Sequence, residues 1–321
     1  MVRDPQAVTR AATSVIDRIK ATARNRATDP RKLIIRYALE RWLHRLSRGR
    51  HACELTLKGG MMMPMLGDES RPTEDIDCNT PFDMTAEEVA EFVREVSSTP
   101  PSEEDGLEFD TSSMRVEGIR EGLMPGARVT FAAFLRPSNG GATEIRMKLD
   151  LTHGDAITPE AVMGSLPSAI KGFEPVTMSV YPWPTIVAEK LHAVARFGVT
   201  NSRLKDFYDL LLLARSMGHD GAETCRAVSA TFRAWGETGI EAEPPGLSDA
   251  YAASKENDWK RFLRQERGLK LKVGSLSETL EEVRGFAGPI LEAASRGDVL
   301  EAKWVPDGGW NAMAPALIVS I

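Results

Sequence analysis

Asp75 and Asp77, separated only by Ile76, are the first residues whose type and spacing could do chemistry. In an extended strand, side chains alternate, so both carboxylates project from one face and Ile76 from the other, toward a core. Like charges so placed repel. Either that face is a wet, charged edge, or a cation sits between them. Two carboxylates ending a strand suit Mg2+, a hard cation that takes oxygen ligands and keeps substrate phosphates in its shell. A third acid comes from "EIRMKLDLTHGD". There Ile145, Met147, Leu149 and Leu151 form one face, and Arg146, Lys148 and Asp150 the other. Three acids from two strands is an arrangement that metal-assisted phosphoryl or nucleotidyl transfer requires.

Other stretches bear on the same chemistry. Gly59-Gly60 follows the apolar run "LTLK". Without a Cβ, backbone N–H groups there can approach a phosphate, although a glycine pair also makes a plain turn. "VAEKLHAVARFGVTNSRLKDFYDLLLL" places Glu189, Lys190, Arg196, Arg203, Lys205, Asp206 and Asp209 on two consecutive helices. Lys190 lies amid Ile186, Val187, Leu191 and Val194. It reads either as a phosphate clamp or as a long stem snorkelling into surface ion pairs. His192, two residues on, faces elsewhere and reads as structural, and His153 as a turn histidine. Cys78 reads as a small core or edge residue, and Met61–Met63 as adaptable packing behind the glycine turn.

The elements that position these groups follow from periodicity. Residues 6–26 and 31–48 read as helices. Asp29-Pro30 caps the second, in which Leu33, Ile34, Tyr37, Ala38, Arg41, Trp42 and Arg45 share a stripe. Residues 52–60 alternate into a strand, "TEDIDCN" is another, and Thr85 with Glu88 forms a capping box opening a helix over 84–98. From 107 to 151 the period is two, with turn signals at "MPGA" and "PSNGG", which predicts a hairpin meander. Helices follow at 181–198 and 202–218. Residues 219–321 read as mainly helical, with breaks at 236–247 and 305–315. The order predicts an α+β fold, a small mixed sheet with helical flanks. Its segments are basic N-terminal helices over 1–50, an α+β core over 51–180 and a helical C-terminal domain over 181–321.

Composition narrows the partners. The 321 residues suffice for about two domains. No run of 18 apolar residues suggests a membrane span, and the N-terminus lacks the apolar region of a secretory signal. The three scattered cysteines form no disulfide or zinc pattern, which fits a reducing cytoplasm. Net charge is −6, but Lys and Arg outnumber Asp and Glu thirteen to four in residues 1–50. "DWKRFLRQERGLKLK" (258–272) is a second basic run, with Trp259 and Phe262 interleaved. Both stretches read as solvated helix surface or as faces that track phosphates.

Taken in order, "LTLKGG", "DID" fourteen residues later, "KLDL", and "YPWPTIVAEKLHAVARF…SRLKDFYDLLLL" resemble the AbiEii/MenT toxin family. Those proteins are nucleotidyltransferases of the DNA polymerase beta superfamily, and the resemblance spans about residues 52–215. It implies that Gly59 and Gly60 cradle phosphate, with Lys58 assisting, since the hydroxyl of the superfamily's usual Gly-Ser is absent. It implies Asp75 and Asp77 as metal ligands, with Asp150 as the third acid. Lys190 would bind the triphosphate, Asp206 would be the family's helical acid, and Asp209 would orient it or cap a basic neighbour. Arg71 would touch phosphate or a carboxylate. The implied activity is Mg2+-dependent transfer of nucleotides from an NTP to the 3′ acceptor end of tRNA, with Mn2+ as a possible substitute. That would block charging and translation, in a toxin–antitoxin pair whose cognate antitoxin is encoded nearby, as in phage defence. The same fold also admits transfer to a small molecule or protein, a nuclease, or a catalytically silent binding protein.

Overall fold

The computed structural model describes residues 3–312, apart from 70, 72, 82, 122, 123 and 267. The chain divides into two units. One takes the chain to Asp155, with Ala161–Tyr181 and Arg264–Lys270. The other takes Ala156–Glu160, Pro182–Leu263 and the chain from Leu271 on.

In the first unit, two capped helices precede the sheet. Asp4 caps α1 (Pro5–Arg26) and Asp29 caps α2 (Pro30–Arg48); each carboxylate accepts a backbone N–H two residues on, with proline at the first helical position. α1 buries one stripe, Val8, Ala12, Val15, Ile19 and Ala23. α2 is buried all round from Arg36 to Leu46. A helix so enclosed must satisfy its charges internally. Arg45 and Asp105, each with a side chain 1% exposed, form a bidentate pair at 2.6 and 3.1 Å. Arg41 donates to Glu40 and to the Glu174 carbonyl, and Arg36 to the carbonyls of Glu69 and Pro167.

The sheet has seven strands: β1 (Thr56–Lys58), β2 (Ile76–Thr80), β3 (Leu107–Glu121), β4 (Met124–Leu135), β5 (Thr143–His153), β6 (Val162–Leu166) and β7 (Val176–Val180). Their order is β3-β4-β5-β2-β1-β7-β6. β2 runs parallel to β5 and β1 to β7, and the other neighbouring pairs are antiparallel, so the sheet is mixed. The meander predicted over 107–151 is β3-β4-β5. Its "MPGA" signal is not a turn, because Met124–Ala127 continue β4, with Gly126 and Ala127 held opposite Thr152 and Leu151 of β5. β6 and β7 were not anticipated.

Helix α3 (Ala86–Ser98) opens with the capping box of Thr85 and Glu88. Trp42 of α2 meets Phe92 of α3 and Phe131 of β4. Phe131 lies opposite Met147 across the β4–β5 ladder. The core therefore sits on the sheet face of Phe131 and Met147, and Asp150 belongs to the other face.

The second unit contains α4 (Trp183–Phe197), α5 (Leu204–Ser216), α6 (Gly221–Ala234), most of α7 (Asp249–Gln265) and α8 (Leu276–Ser295). It also holds a small sheet of β8 (His219–Asp220), β9 (Ala302–Val305) and β10 (Gly309–Ala312), ordered β10-β9-β8. The break read at 305–315 thus contains a hairpin. Its aromatic residues make the difference: the Trp310 ring stacks on Phe286 of α8 at 6.0 Å, and the Trp304 indole donates to the Ala214 carbonyl. Among the described residues, no helix is long and apolar enough to cross a membrane.

Candidate active site

One cross-strand row organises the first unit's site. Lys58 of β1 lies opposite Asp77 of β2, Asp77 opposite Asp150 of β5, and Asp150 opposite Arg128 of β4. Directly opposed residues share a face, so pairing across four strands rather than sequence proximity gathers these charges. Asp75 sits just before β2, and its carboxylate is 2.8 Å from Lys148 Nζ. One oxygen from each of Asp75, Asp77 and Asp150 lies within 4.8 Å of the others. An all-carboxylate donor set of that size fits Mg2+ or Mn2+ better than a soft-ligand metal. Ile76 is fully buried on the reverse face, as the alternation requires.

The glycine turn is shaped by this cluster. Gly59 leaves β1 with φ +68°, a left-handed value that L side chains rarely adopt. A Cβ there would overlap the Asp77 carboxylate, and one on Gly60 would overlap the Arg71 guanidinium. The missing Cβ atoms therefore make room first for the site's own side chains. Arg71 is buried against this turn. Met61, Met62 and Met63 continue as a buried 3-10 helix behind it.

Four groups absent from the expected set complete the surroundings. Arg128 grips both oxygens of Asp150, at 2.8 and 2.7 Å. Lys148 approaches Asp150 to 3.5 Å besides its contact with Asp75. Burial disfavours the Lys148 ammonium, but the hydrogen bond and charge of Asp75, with the charge of Asp150, outweigh it and raise its pKa. Lys58 pairs with Asp155, which also accepts from Thr152 and Tyr181, each at 2.8 Å. Lys148 was visible beside Asp150 in the alternating strand. Arg128, Asp155 and Tyr181 carry no local signal, because ladder register brings Arg128 in, the parallel pairing of β7 with β1 brings Tyr181, and the bend after β5 brings Asp155.

The helical residues form a separate cluster in the second unit. Lys190 of α4 donates to Asp206 at 3.0 Å and to Asp209 at 2.6 Å, both on α5. Asp209 is fully buried, and Lys190 is 8% exposed. His192 is packed between Phe232 and Trp235, with burial lowering its pKa, a structural setting. Cys78 is buried, with its thiol pushed up by burial. His153 is not in a turn but ends β5, with Nδ1 3.2 Å from the Thr80 carbonyl.

Part of each basic stretch is enclosed or paired rather than open to solvent. Arg36, Arg41 and Arg45 are buried. In the second run, Trp259 is fully buried with its indole donating to Gly274, while Lys260 and Arg261 pair with Glu256 and Asp258. Trp259 is therefore no stacking platform.

The sequence profile of a family described as "Nucleotidyl transferase AbiEii toxin, Type IV TA system" matches residues 41–284. Among solved structures, MenT4, a nucleotidyltransferase toxin from Mycobacterium tuberculosis H37Rv, is similar at TM-score 0.49 and 19% identity, covering 83% of this chain and 98% of that one. JHP933 from Helicobacter pylori follows at TM-score 0.42 and 15% identity, covering 83% and 92%. An antigenic nucleotidyltransferase-like protein from Paracoccidioides brasiliensis is similar at TM-score 0.33 and 15% identity, covering 75% and 94%. No curated protein matches the chain by sequence.

Proposed function

The chain belongs to the AbiEii nucleotidyltransferase toxin family, and from that premise we propose that it transfers nucleotides from an NTP to the 3′ end of tRNA, with Mg2+ as cofactor. The observation that carries the reading is the gathering of Asp75, Asp77 and Asp150 on one sheet face beside the Gly59 turn. A divalent cation held there would supply charge neutralisation for a triphosphate and acidify an attacking hydroxyl. In the transfer, the RNA 3′ hydroxyl gives up its proton to solvent, its oxygen bonds to the α-phosphorus, the α–β phosphoanhydride bond breaks, and pyrophosphate leaves. Asp75 and Asp77 act as ligands, and Arg128 fixes the orientation of Asp150. Gly59 and Gly60 keep the backbone low over the cluster, while Lys58 and Arg71 lend positive charge around the turn. Lys190, its position fixed by Asp206 and Asp209, takes the family's phosphate-binding role. The partners are NTP, tRNA and a cognate antitoxin, and the setting is the cytoplasm.

The test is incubation with each labelled NTP, Mg2+ and total tRNA, beside Asp77→Asn. Label enters tRNA, and the variant lowers the rate by about three orders of magnitude, roughly 4 kcal/mol of lost charge stabilisation. Label in protein alone, or shortening of tRNA without incorporation, would refute transfer to RNA.

A further inference from the structure

Lys148 occupies the place where a cation is wanted. Its Nζ is 2.8 Å from Asp75 Oδ2 and 3.5 Å from Asp150 Oδ2, two of the three carboxylates that converge within 4.8 Å. Arg128 meanwhile takes both oxygens of Asp150. The two cations hold different parts. Arg128 is bidentate, the geometry in which a guanidinium is most firmly fixed to a carboxylate. The ammonium is a point charge on a flexible stem, its side chain 28% exposed, and a stem of that kind moves without disturbing the fold. Asp75 is similarly half-open at 29%.

We propose that Lys148 is an exchangeable counter-ion: it neutralises Asp75 and Asp150 while no metal is bound, leaves Asp75 when a divalent cation takes the carboxylates, and then contacts the phosphates of the incoming nucleotide. The inference rests on the nucleotidyltransferase reading of this site. It follows from charge balance. A metal ion entering the cluster must displace the ammonium or sit beside it, at a repulsive cost of order ~1 kcal/mol even in a water-like surrounding. Displaced, the ammonium remains on β5 beside the metal, where the nearest large negative charge is the triphosphate. Free metal therefore binds weakly, and metal and triphosphate bind together. That ordering keeps the site from filling with metal when no nucleotide is present.

Mn2+ titration of the full chain, followed by the EPR signal of free Mn2+, tests this without any turnover. Wild type, Lys148→Met, Lys148→Arg and Asp77→Asn are compared, with and without inorganic triphosphate, after their melting curves are matched. Lys148→Met should tighten Mn2+ binding about tenfold without triphosphate, because a neighbouring positive charge is gone. It should also weaken triphosphate binding at saturating Mn2+, while Lys148→Arg stays near wild type on both counts. Unchanged or weaker Mn2+ binding in Lys148→Met, or undiminished triphosphate binding, overturns the exchange. If Asp77→Asn abolishes Mn2+ binding in that case, the metal centre stands and only the role of Lys148 falls. If Asp77→Asn binds Mn2+ as wild type does, the metal centre falls with it.

Discussion

Gly59 shows how closely the candidate site is built. Its φ of +68° and the Asp77 carboxylate lying where a Cβ would go impose two separate penalties on any other residue. The backbone conformation alone costs an L-residue about 1–2 kcal/mol. Gly59→Ala should therefore lower the melting temperature by about 4 °C or more and displace Asp77, so that Mn2+ affinity falls with stability. A variant that melts as wild type does and binds Mn2+ normally would contradict the packing. Asp155 offers a pH test at the same scale. Burial opposes its ionisation, but the charge of Lys58 and hydrogen bonds from Lys58, Tyr181 and Thr152 outweigh that and hold the carboxyl below its ordinary value. A folded pKa below the unfolded one means that the unfolded chain binds the proton more readily. The stabilisation is thus complete above about pH 5, and is lost as pH falls through about 4 and below. Melting curves should show Asp155→Asn well below wild type at pH 7, with the gap closing toward pH 3. A gap constant over that range would mean that the Asp155 charge contributes nothing.

At the scale of elements, α2 is the unusual one. Its stripe includes Arg41 and Arg45, which a solvent-facing helix would not put beside Tyr37 and Trp42. The structure resolves the conflict by enclosing the helix and giving each guanidinium an internal acceptor. A buried pair is weak evidence of net stabilisation, yet breaking it leaves an uncompensated charge and costs about 3–5 kcal/mol. Arg45→Met should lower the melting temperature by about 10 °C. Adding Asp105→Asn to it should cost less than the sum of the two single changes, as thermal melts of the cycle would show. Strict additivity would mean that Arg45 and Asp105 are not coupled.

For the whole molecule, charge has to be counted where it is exposed. The thirteen basic residues of the first fifty give an excess that suggests a polyanion partner, but Arg36, Arg41 and Arg45 are enclosed by the first unit. Arg10, Lys20, Arg24, Arg31, Arg48 and Arg50 remain exposed, and Lys20 and Arg24 lie one turn apart on α1. For a chain that acts on tRNA, replacing both with alanine should reduce the slope of log affinity against log salt by about 2, since each phosphate contact contributes about 0.9. Filter binding across a salt series measures it, and an unchanged slope would exclude that face of α1 from the RNA contact.

Much of this was readable from sequence because it depends on local periodicity. A period of two puts Asp75 with Asp77, and Asp150 with Lys148, on one face whatever the fold, and an Asp-Pro or Thr-x-x-Glu signal starts a helix from within one turn. The motif order that marks the family is likewise a property of the chain alone. What only the tertiary structure decided is which charges meet. Lys148 reaches Asp75 across 73 residues, Lys58 reaches Asp155 across 97, and Arg128 finds Asp150 through the register of a ladder. The reason for the glycines is of the same kind, since the atoms that exclude a Cβ belong to Asp77 and Arg71. Pairing between strands is set by the burial of the opposite face and by the turns, so no window of sequence contains it. The sequence by itself therefore determined the carboxylates and the face they share, and the fold decided which cations stand among them.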